Sequence, residues 1–306
     1  FSGEAIPPVQ HPIFEVGLGG IWDATNAIPH RNCIITSLSY DHQNLLGNSI
    51  EEIAANKFGI IQQGARVVYS AFPNDAKESL LQLKETVQAA TNSTWTESVP
   101  FESLTSTTDS ASPSNEPQFE ISTQWGEAPL ALAGERGAQN TATALTFFAQ
   151  LGYNPTDYLT VLNQIKWPGR MEKVVGAKPC PTYLSGDHNP QGAESLVQLL
   201  KYYKRKHLYI LVGVGKDKDL DGILAPLFSL RGNSEKDALE NTSVFLTETP
   251  FKGRATEDYG KWKNLASDVS KDSVALLRKI QDLAGPDDMI VVTGSLYLIG
   301  YLRPQI

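Results

Sequence analysis

Leu208-Tyr209-Ile210-Leu211-Val212-Gly213-Val214, followed by Gly215-Lys216-Asp217-Lys218-Asp219, is the stretch on which the fold turns. An apolar run of this length that ends in glycine and charge has the form of a strand buried on both faces, as in parallel sheets. The same form returns at 182–184, 244–247 and 289–293, each time followed by a polar loop and a stretch of helical periodicity. Strands alternating with helices in this way spell βαβ units, so the expected class is α/β with a mainly parallel sheet.

Upstream the alternation is looser. Residues 12–16, 33–36 and 66–71 read as strands, and 75–89 and 139–151 as helices. A further helix lies between Ser49 and Gly59, where Ser49 and Glu52 form an S-x-x-E capping box and Gly59 occupies the C′ position. From 91 to 117, 13 of 27 residues are Ser or Thr, and no Lys or Arg occurs between Lys84 and Arg136. This reads as an exposed, flexible insertion. The turn Trp167-Pro168-Gly169-Arg170 marks the expected boundary between a domain over 1–166 and one over 167–306. Two domains also suit 306 residues at roughly 150 per domain, and no repeat of fixed period is present.

Composition narrows the function. Hydrophobic residues make up 41% and charged residues 20%, as in ordinary globular proteins. Asp plus Glu total 34 against 26 Lys plus Arg, and the net charge of −8 disfavours nucleic acid and anionic membranes as partners. Cys33 and Cys180 are far apart and form no CxxC, so neither a zinc cluster nor a disulfide framework is expected; a reducing cytoplasm is the expected compartment. The sequence opens on Phe1 with Met only at 171 and 289, and reads as a processed or truncated product. Residues 1–12 show no basic region followed by an apolar core, and no apolar run approaches 18 residues, so neither secretion nor membrane spanning is expected.

Ligands of open α/β sheets bind beyond the carboxyl ends of the strands, which directs attention to Glu15, Asp41 and His42. A carboxylate and a neutral imidazole at neighbouring strand ends suit a divalent ion or its water ligands. From spacing alone the plainer reading comes first, with Glu15 as a helix cap and His42 as a hydrogen-bonded loop residue. Lys57 shares a helix face with Ile50, Ile53 and Ala54. An amine on an apolar stripe is paired, deprotonated or modified, or else it snorkels from the last turn to solvent; the pattern leaves both open. Glu15-Val16-Gly17-Leu18-Gly19-Gly20 lacks G-x-G-x-x-G spacing, which counts against a nucleotide-dependent oxidoreductase, and no G-x-x-x-x-G-K-[ST] phosphate loop occurs.

Taken together, these segments resemble the folylpolyglutamate and dihydrofolate synthase branch of the Mur-type amide ligases. The run from Glu15 to Asn26 is similar to the motif EVGLGGxxDATN. Ile35-Thr36-Ser37 through Asp41-His42 and Leu46-Gly47, Ile50 to Ile61, Gly134 to Asn140, Trp167 to Arg170, Ser185 to Pro190, Gly213 to Asp219 and Gly294 to Tyr297 follow in the family's order. The resemblance implies a truncated Mur-ligase-type central ATPase domain followed by a Rossmann-like C-terminal glutamate-ligase domain. The implied reaction is ATP-dependent: a pteroate or folate carboxylate is phosphorylated, and the amine of L-glutamate attacks the acyl phosphate. It further implies Glu15 and His42 as magnesium ligands, Lys57 as a carbamylated lysine, and Asn140 and Arg170 as ATP contacts. His188 is implied as catalytic, and Ser185, Asp187 and Asn189 as nucleotide-binding. The expected partners are these small molecules, with the chain itself a monomer.

The sequence also departs from the family pattern. The family's T-G-T-N-G-K-G-S loop is absent from these residues. Ser185 replaces Asp, Asp187 stands where Ala is usual, Arg136-Gly137 replace a His-Gln pair, and Asn56 replaces a Glu. The expectation is weak ATP binding without turnover by these 306 residues. The alternative is a non-catalytic nucleotide- or folate-binding remnant of the same fold.

Overall fold

The computed structural model describes residues 11–108, 116–176, 179–231, 241–251, 253, 256 and 258–306. The chain divides into two compact units, one holding residues up to Leu38 together with Gln43–Glu97, the other holding Ser39–His42 and Ser98–Ile306.

In the first unit β1 (Asn32–Ile35), β2 (Arg66–Tyr69) and β3 (Thr94–Glu97) form a parallel sheet in that order, with Cys33 opposite Val67 and Val67 opposite Trp95. The short helix α1 (Gln43–Leu46) leads into α2 (Ile50–Phe58), and α3 (Lys77–Thr91) joins β2 to β3. Ile50, Ala54 and Phe58 of α2 are buried against Val67, Tyr69 and Leu80, so the apolar stripe read in the sequence is the packing face. Ser49 caps α2 by accepting from the Glu52 amide at 3.2 Å, while the Glu52 carboxylate takes the Asn48 amide at 2.7 Å. Gly59 has another purpose than the expected one. Its φ of −62° is helical, and glycine is required because a Cβ would lie 2.5 Å from that of Ile21. Residues 12–16 form no strand: Ile13 and Phe14 are exposed and find no neighbouring strand to pair with.

The second unit begins with an antiparallel sheet of β4 (Ser103–Thr108), β5 (Pro117–Thr123) and β6 (Gly126–Leu130). Two segments of the expected Ser/Thr-rich loop are thus strands, β3 and β4, and residues 109–115 lie outside the described residues. Thr is β-branched and suits a pleated surface that is polar on one side, so the composition that marks a loop serves an exposed strand equally well. Phe119 and Ile121 of β5 pack with Ala138 and Leu145 of α4 (Gly134–Gln150), with Leu159 and Leu162 of the 3-10 segment Pro155–Gln164, and with Leu199. This core includes Leu199, which lies beyond the expected boundary at 166/167.

The larger sheet follows. Its strands are β7 (Glu172–Val174), β8 (Thr182–Leu184), β9 (Leu208–Val212), β10 (Thr242–Thr247), β11 (Asp268–Ser270) and β12 (Met289–Thr293), ordered β11-β10-β9-β12-β8-β7 and parallel except for edge strand β7. Leu208, Ile210 and Val212 face α5 (Pro190–Leu200) and α6 (Leu220–Ser229), whereas Leu211 faces α8 (Ser273–Leu283) and α9 (Leu296–Leu302). β12 alternates in the same way, with Met289 and Val291 on one side and Ile290 and Val292 on the other. The period of two along a fully apolar strand fills both faces, and the sheet is doubly wound. The small helix α7 (Lys261–Leu265) precedes β11. No helix among the described residues is long and apolar enough to cross a membrane.

Ile210 is fully buried in a central strand. Ile210→Ala removes three carbons where the surroundings relax little, and is expected to lower the unfolding free energy of this unit by about 2–5 kcal/mol, as read from urea denaturation followed by circular dichroism.

Candidate nucleotide and ligation site

Three loops leave the carboxyl ends of adjacent strands β8, β12 and β9, the position at which open α/β sheets bind ligands. Their backbones nearly touch. The Gly294 amide donates to the Asp187 carbonyl at 3.0 Å, and the Gly213 amide to the Thr293 carbonyl at 3.2 Å. Gly294 has φ +94°, and a Cβ there would fall 2.7 Å from the Gly213 carbonyl oxygen, so only glycine permits the approach. Asn189 then caps α5 by accepting from the Gly192 amide at 2.7 Å, and Pro190 occupies the first helical turn.

Asp41 sits at the centre of the polar groups. The Lys218 ammonium lies 2.6 Å from one carboxylate oxygen; the other accepts from Asn189 Nδ2 at 3.1 Å and faces His188 Nε2 at 3.6 Å. Burial by itself would raise the Asp41 carboxyl, but His188, Lys218 and Asn189 outweigh it and hold the group well below the usual carboxylate range. His188 Nδ1 lies 2.8 Å from the Gly186 carbonyl, so that nitrogen carries a proton. His42 has φ +50°, and its Nε2 lies 3.4 Å from the Lys218 ammonium, which can only donate. Burial pushes the His42 imidazole below its ordinary value, the Asp41 charge opposes this, and the Lys218 charge adds to it.

Asp187 is a second buried carboxylate with separate partners. Arg136 Nη1 donates to its Oδ1 at 3.0 Å and the Ser185 hydroxyl donates to its Oδ2 at 2.6 Å. Arg136 Nη2 also reaches the Gln191 carbonyl at 2.8 Å. Asn140, one turn further along α4, is exposed. Arg170 is exposed beside the same loop, with Nη1 at 3.4 Å from the place a Cβ on Gly186 would occupy. The preceding Gly169 has φ +73° and accepts the Gly186 amide at 2.7 Å, which fixes the turn against the loop. Thus Arg136, Arg170, Ser185, Asp187, His188 and Asn189 come together, with His42 joined through Lys218.

Glu15 and Lys57 belong to the first unit. Glu15 is exposed, and the loop after it is organised by the Asp23 carboxylate, which accepts from the amides of Gly17 at 2.9 Å, Leu18 at 3.0 Å and Thr25 at 2.9 Å and from the Thr25 hydroxyl at 2.6 Å. The Ile21 amide donates to the Asn56 carbonyl at 3.0 Å, and a Cβ on Gly20 would lie 2.6 Å from the Lys57 carbonyl oxygen. The glycines therefore bring this loop to the end of α2, where Lys57 is half-buried. Among the described residues no group of three or more His, Cys, Asp or Glu side chains is placed to hold a metal. Burial raises the Cys33 thiol to about 11 and Cys180 to about 12, so neither is a reactive thiolate. Sequence reasoning singled out neither Lys218 nor Arg136 as a site residue; a lysine in Asp217-Lys218-Asp219 directly after a central strand was the available signal.

A doubly wound sheet with polar loops converging at its carboxyl edge defines a nucleotide- or substrate-handling α/β domain, and residues 169–296 match the Mur ligase, glutamate ligase domain. The chain is 30% identical to the dihydrofolate synthetase of Saccharomyces cerevisiae, over 96% of this chain and 70% of that protein. It is 28% identical to the dihydrofolate synthase/folylpolyglutamate synthase of Bacillus subtilis, over 97% of this chain and 68% of that one. The structure of Mycobacterium tuberculosis folylpolyglutamate synthase complexed with ADP and AMPPCP superposes with a TM-score of 0.72 at 26% identity, covering 94% of this chain and 66% of the other. The chain belongs to the folylpolyglutamate synthase/dihydrofolate synthase family. It spans about two thirds of the length of these relatives.

Lys218 is 12% exposed and Asp41 21%. Lys218→Met leaves that carboxylate without its main counter-charge and is expected to cost about 3 kcal/mol of stability by denaturant titration, the low end for an unpaired buried charge because Asp41 retains some water. Asp23 is held down to about 2, first by the Thr25 hydroxyl and then by backbone amides. A folded value below the unfolded one of about 4 contributes stability above that pH and loses it as the pH falls towards 2. Carbon NMR of the Asp23 carboxyl should show the loop at 17–26 releasing in that window.

Proposed function

We propose that the chain serves an ATP-dependent ligase that adds L-glutamate to dihydropteroate or to reduced folates through an acyl phosphate. The observation that carries this reading is similarity over nearly the whole chain to relatives named for these two activities, together with loops that cluster where a nucleotide ligand of such a sheet is expected. Residues 1–166 are read as the latter part of the ATP-binding domain and 167–306 as the ligase domain. Arg170 has a planar guanidinium suited to phosphate oxygens, and Asn140, Ser185, Asp187 and Asn189 are proposed to build the nucleotide side, by contact or by holding the residues that make contact. His188 is proposed to face the reacting groups, its ring oriented by the Gly186 carbonyl.

Glu15 and His42 are the proposed magnesium ligands. Their donors are a carboxylate oxygen and an imidazole whose charged form burial disfavours, and the Lys218 ammonium at 3.4 Å must give up His42 Nε2 for a metal to reach it. A bound magnesium ion would offset phosphate charge. Lys57, half-buried at the end of α2, is the proposed carbamate, which would place an anion there instead of a cation. The alternative, a non-catalytic nucleotide- or folate-binding remnant, is favoured by one observation: both carboxylate oxygens of Asp187 are taken by Arg136 and Ser185.

Calorimetry with ATP and magnesium on these 306 residues, run beside an assay on the product of the full coding sequence for ADP release dependent on both glutamate and a reduced folate, separates the readings. Binding with substrate-dependent release supports the ligase; binding alone supports the remnant; no binding overturns both. In a preparation that turns over, Lys57→Ala should reduce the rate by about a hundredfold or more with little change in melting temperature, the scale expected when a charge-stabilising group is lost. Bicarbonate with a short carboxylate should restore part of it. Normal turnover would return Lys57 to snorkelling.

A further inference from the structure

Arg136, Ser185 and Asp187 lie in one hydrogen-bonded network. Arg136 Nη1 reaches Asp187 Oδ1 at 3.0 Å and the Ser185 hydroxyl reaches Oδ2 at 2.6 Å, so both oxygens of a carboxylate only 9% exposed are taken by the chain itself. Gly137 fits the same arrangement. A Cβ on Gly137 would lie 2.0 Å from the Leu132 carbonyl oxygen, so the turn that starts α4 and aims Arg136 has no room for a longer residue. An aspartate at 187 without Arg136 would be a buried, uncompensated charge; the two residues make sense only together.

The network also has a definite reach. Arg136 stands in the first turn of α4, four residues before Asn140 and so on the same helix face. Its second nitrogen takes the Gln191 carbonyl in the first turn of α5 at 2.8 Å. Asp187 is one residue from His188 and two from Asn189, and its own carbonyl accepts from Gly294 at 3.0 Å. One guanidinium therefore ties the helix that bears Asn140 to the loop that bears His188 and Asn189.

We infer that Arg136 and Asp187 act as a linked pair of positioning residues: the ion pair sets Asn140 against the His188-Asn189 loop, and the Asp187 carboxylate is committed to Arg136 and Ser185 rather than to ligand. The inference rests on the proposal that these groups face the nucleotide. It distinguishes two kinds of polar residue in one loop, those that meet ligand and those that hold the others in register. A side chain of the second kind acts on affinity without touching ATP.

The test is a double-mutant cycle on the 306-residue chain, with Arg136→Gln, Asp187→Asn and the combination, reading ATP affinity by calorimetry in magnesium and melting temperature in parallel. Each single change is expected to weaken ATP about tenfold, and the combination no further than the worse single change, because a pair that acts as one unit can be broken only once. Arg136→Lys keeps the charge and one donor, is the variant that most nearly preserves the fold, and should fall between. Unchanged affinity in the folded variants, or single effects that multiply in the combination, would overturn the inference even where the parent binds ATP normally. Loss confined to the melting temperature would also overturn it, since that is all a purely structural pair would show. If the parent binds no ATP, the nucleotide reading itself fails and the inference falls with it.

Discussion

The site depends on backbone packed against backbone where three strands end. Asp187, Gly213 and Gly294 meet through hydrogen bonds and carbonyl contacts that leave no space for a side chain at 294. Parallel strands present their carboxyl ends at one edge, but they bring the following loops together only if nothing bulky intervenes. Here glycine removes the obstacle, and the polar side chains that follow emerge within a few ångströms of each other. The alternating core beneath holds the strand ends at fixed height, since Leu208, Ile210 and Val212 are locked on one face and Leu211 on the other.

On that floor the protein keeps two carboxylates apart by giving each its own cation. Asp41 takes Lys218, and Asp187 takes Arg136. The choice of cation follows from the geometry required. Lys218 supplies a compact charge to one oxygen, whereas Arg136 spans two acceptors on different segments with a planar fork. Leaving either acid unpaired would be more unfavourable than the pairing is favourable, so the pairs specify the loop conformation more than they stabilise the fold.

The sequence made β8 and β12 legible to the residue, because strands buried on both faces are uninterrupted apolar runs that stop where the sheet stops. The Ser49 cap of α2 was equally clear, since a hydroxyl before an apolar stripe has few other uses. Gly59 was misread because glycine serves both positive φ and close approach, and only the position of Ile21 decides between them. The strands β3 and β4 were hidden by polar composition. The site was legible as motifs but not as contacts: Asp41 and Lys218 are 177 residues apart and Arg136 and Asp187 are 51 apart, and no local spacing announces that they meet.

Ser39–His42 belongs to the second compact unit although the residues on either side of it belong to the first. The two units are therefore not successive lengths of chain, and no single cut yields both intact. A fragment that starts at Ser98 would hold every strand of the large sheet yet carry Lys218 without Asp41, a buried ammonium bereft of its acid. Genetic exchange of such a segment between relatives would preserve the donor's electrostatics only if four residues from far upstream travelled with it, which ties the inheritance of the two halves together.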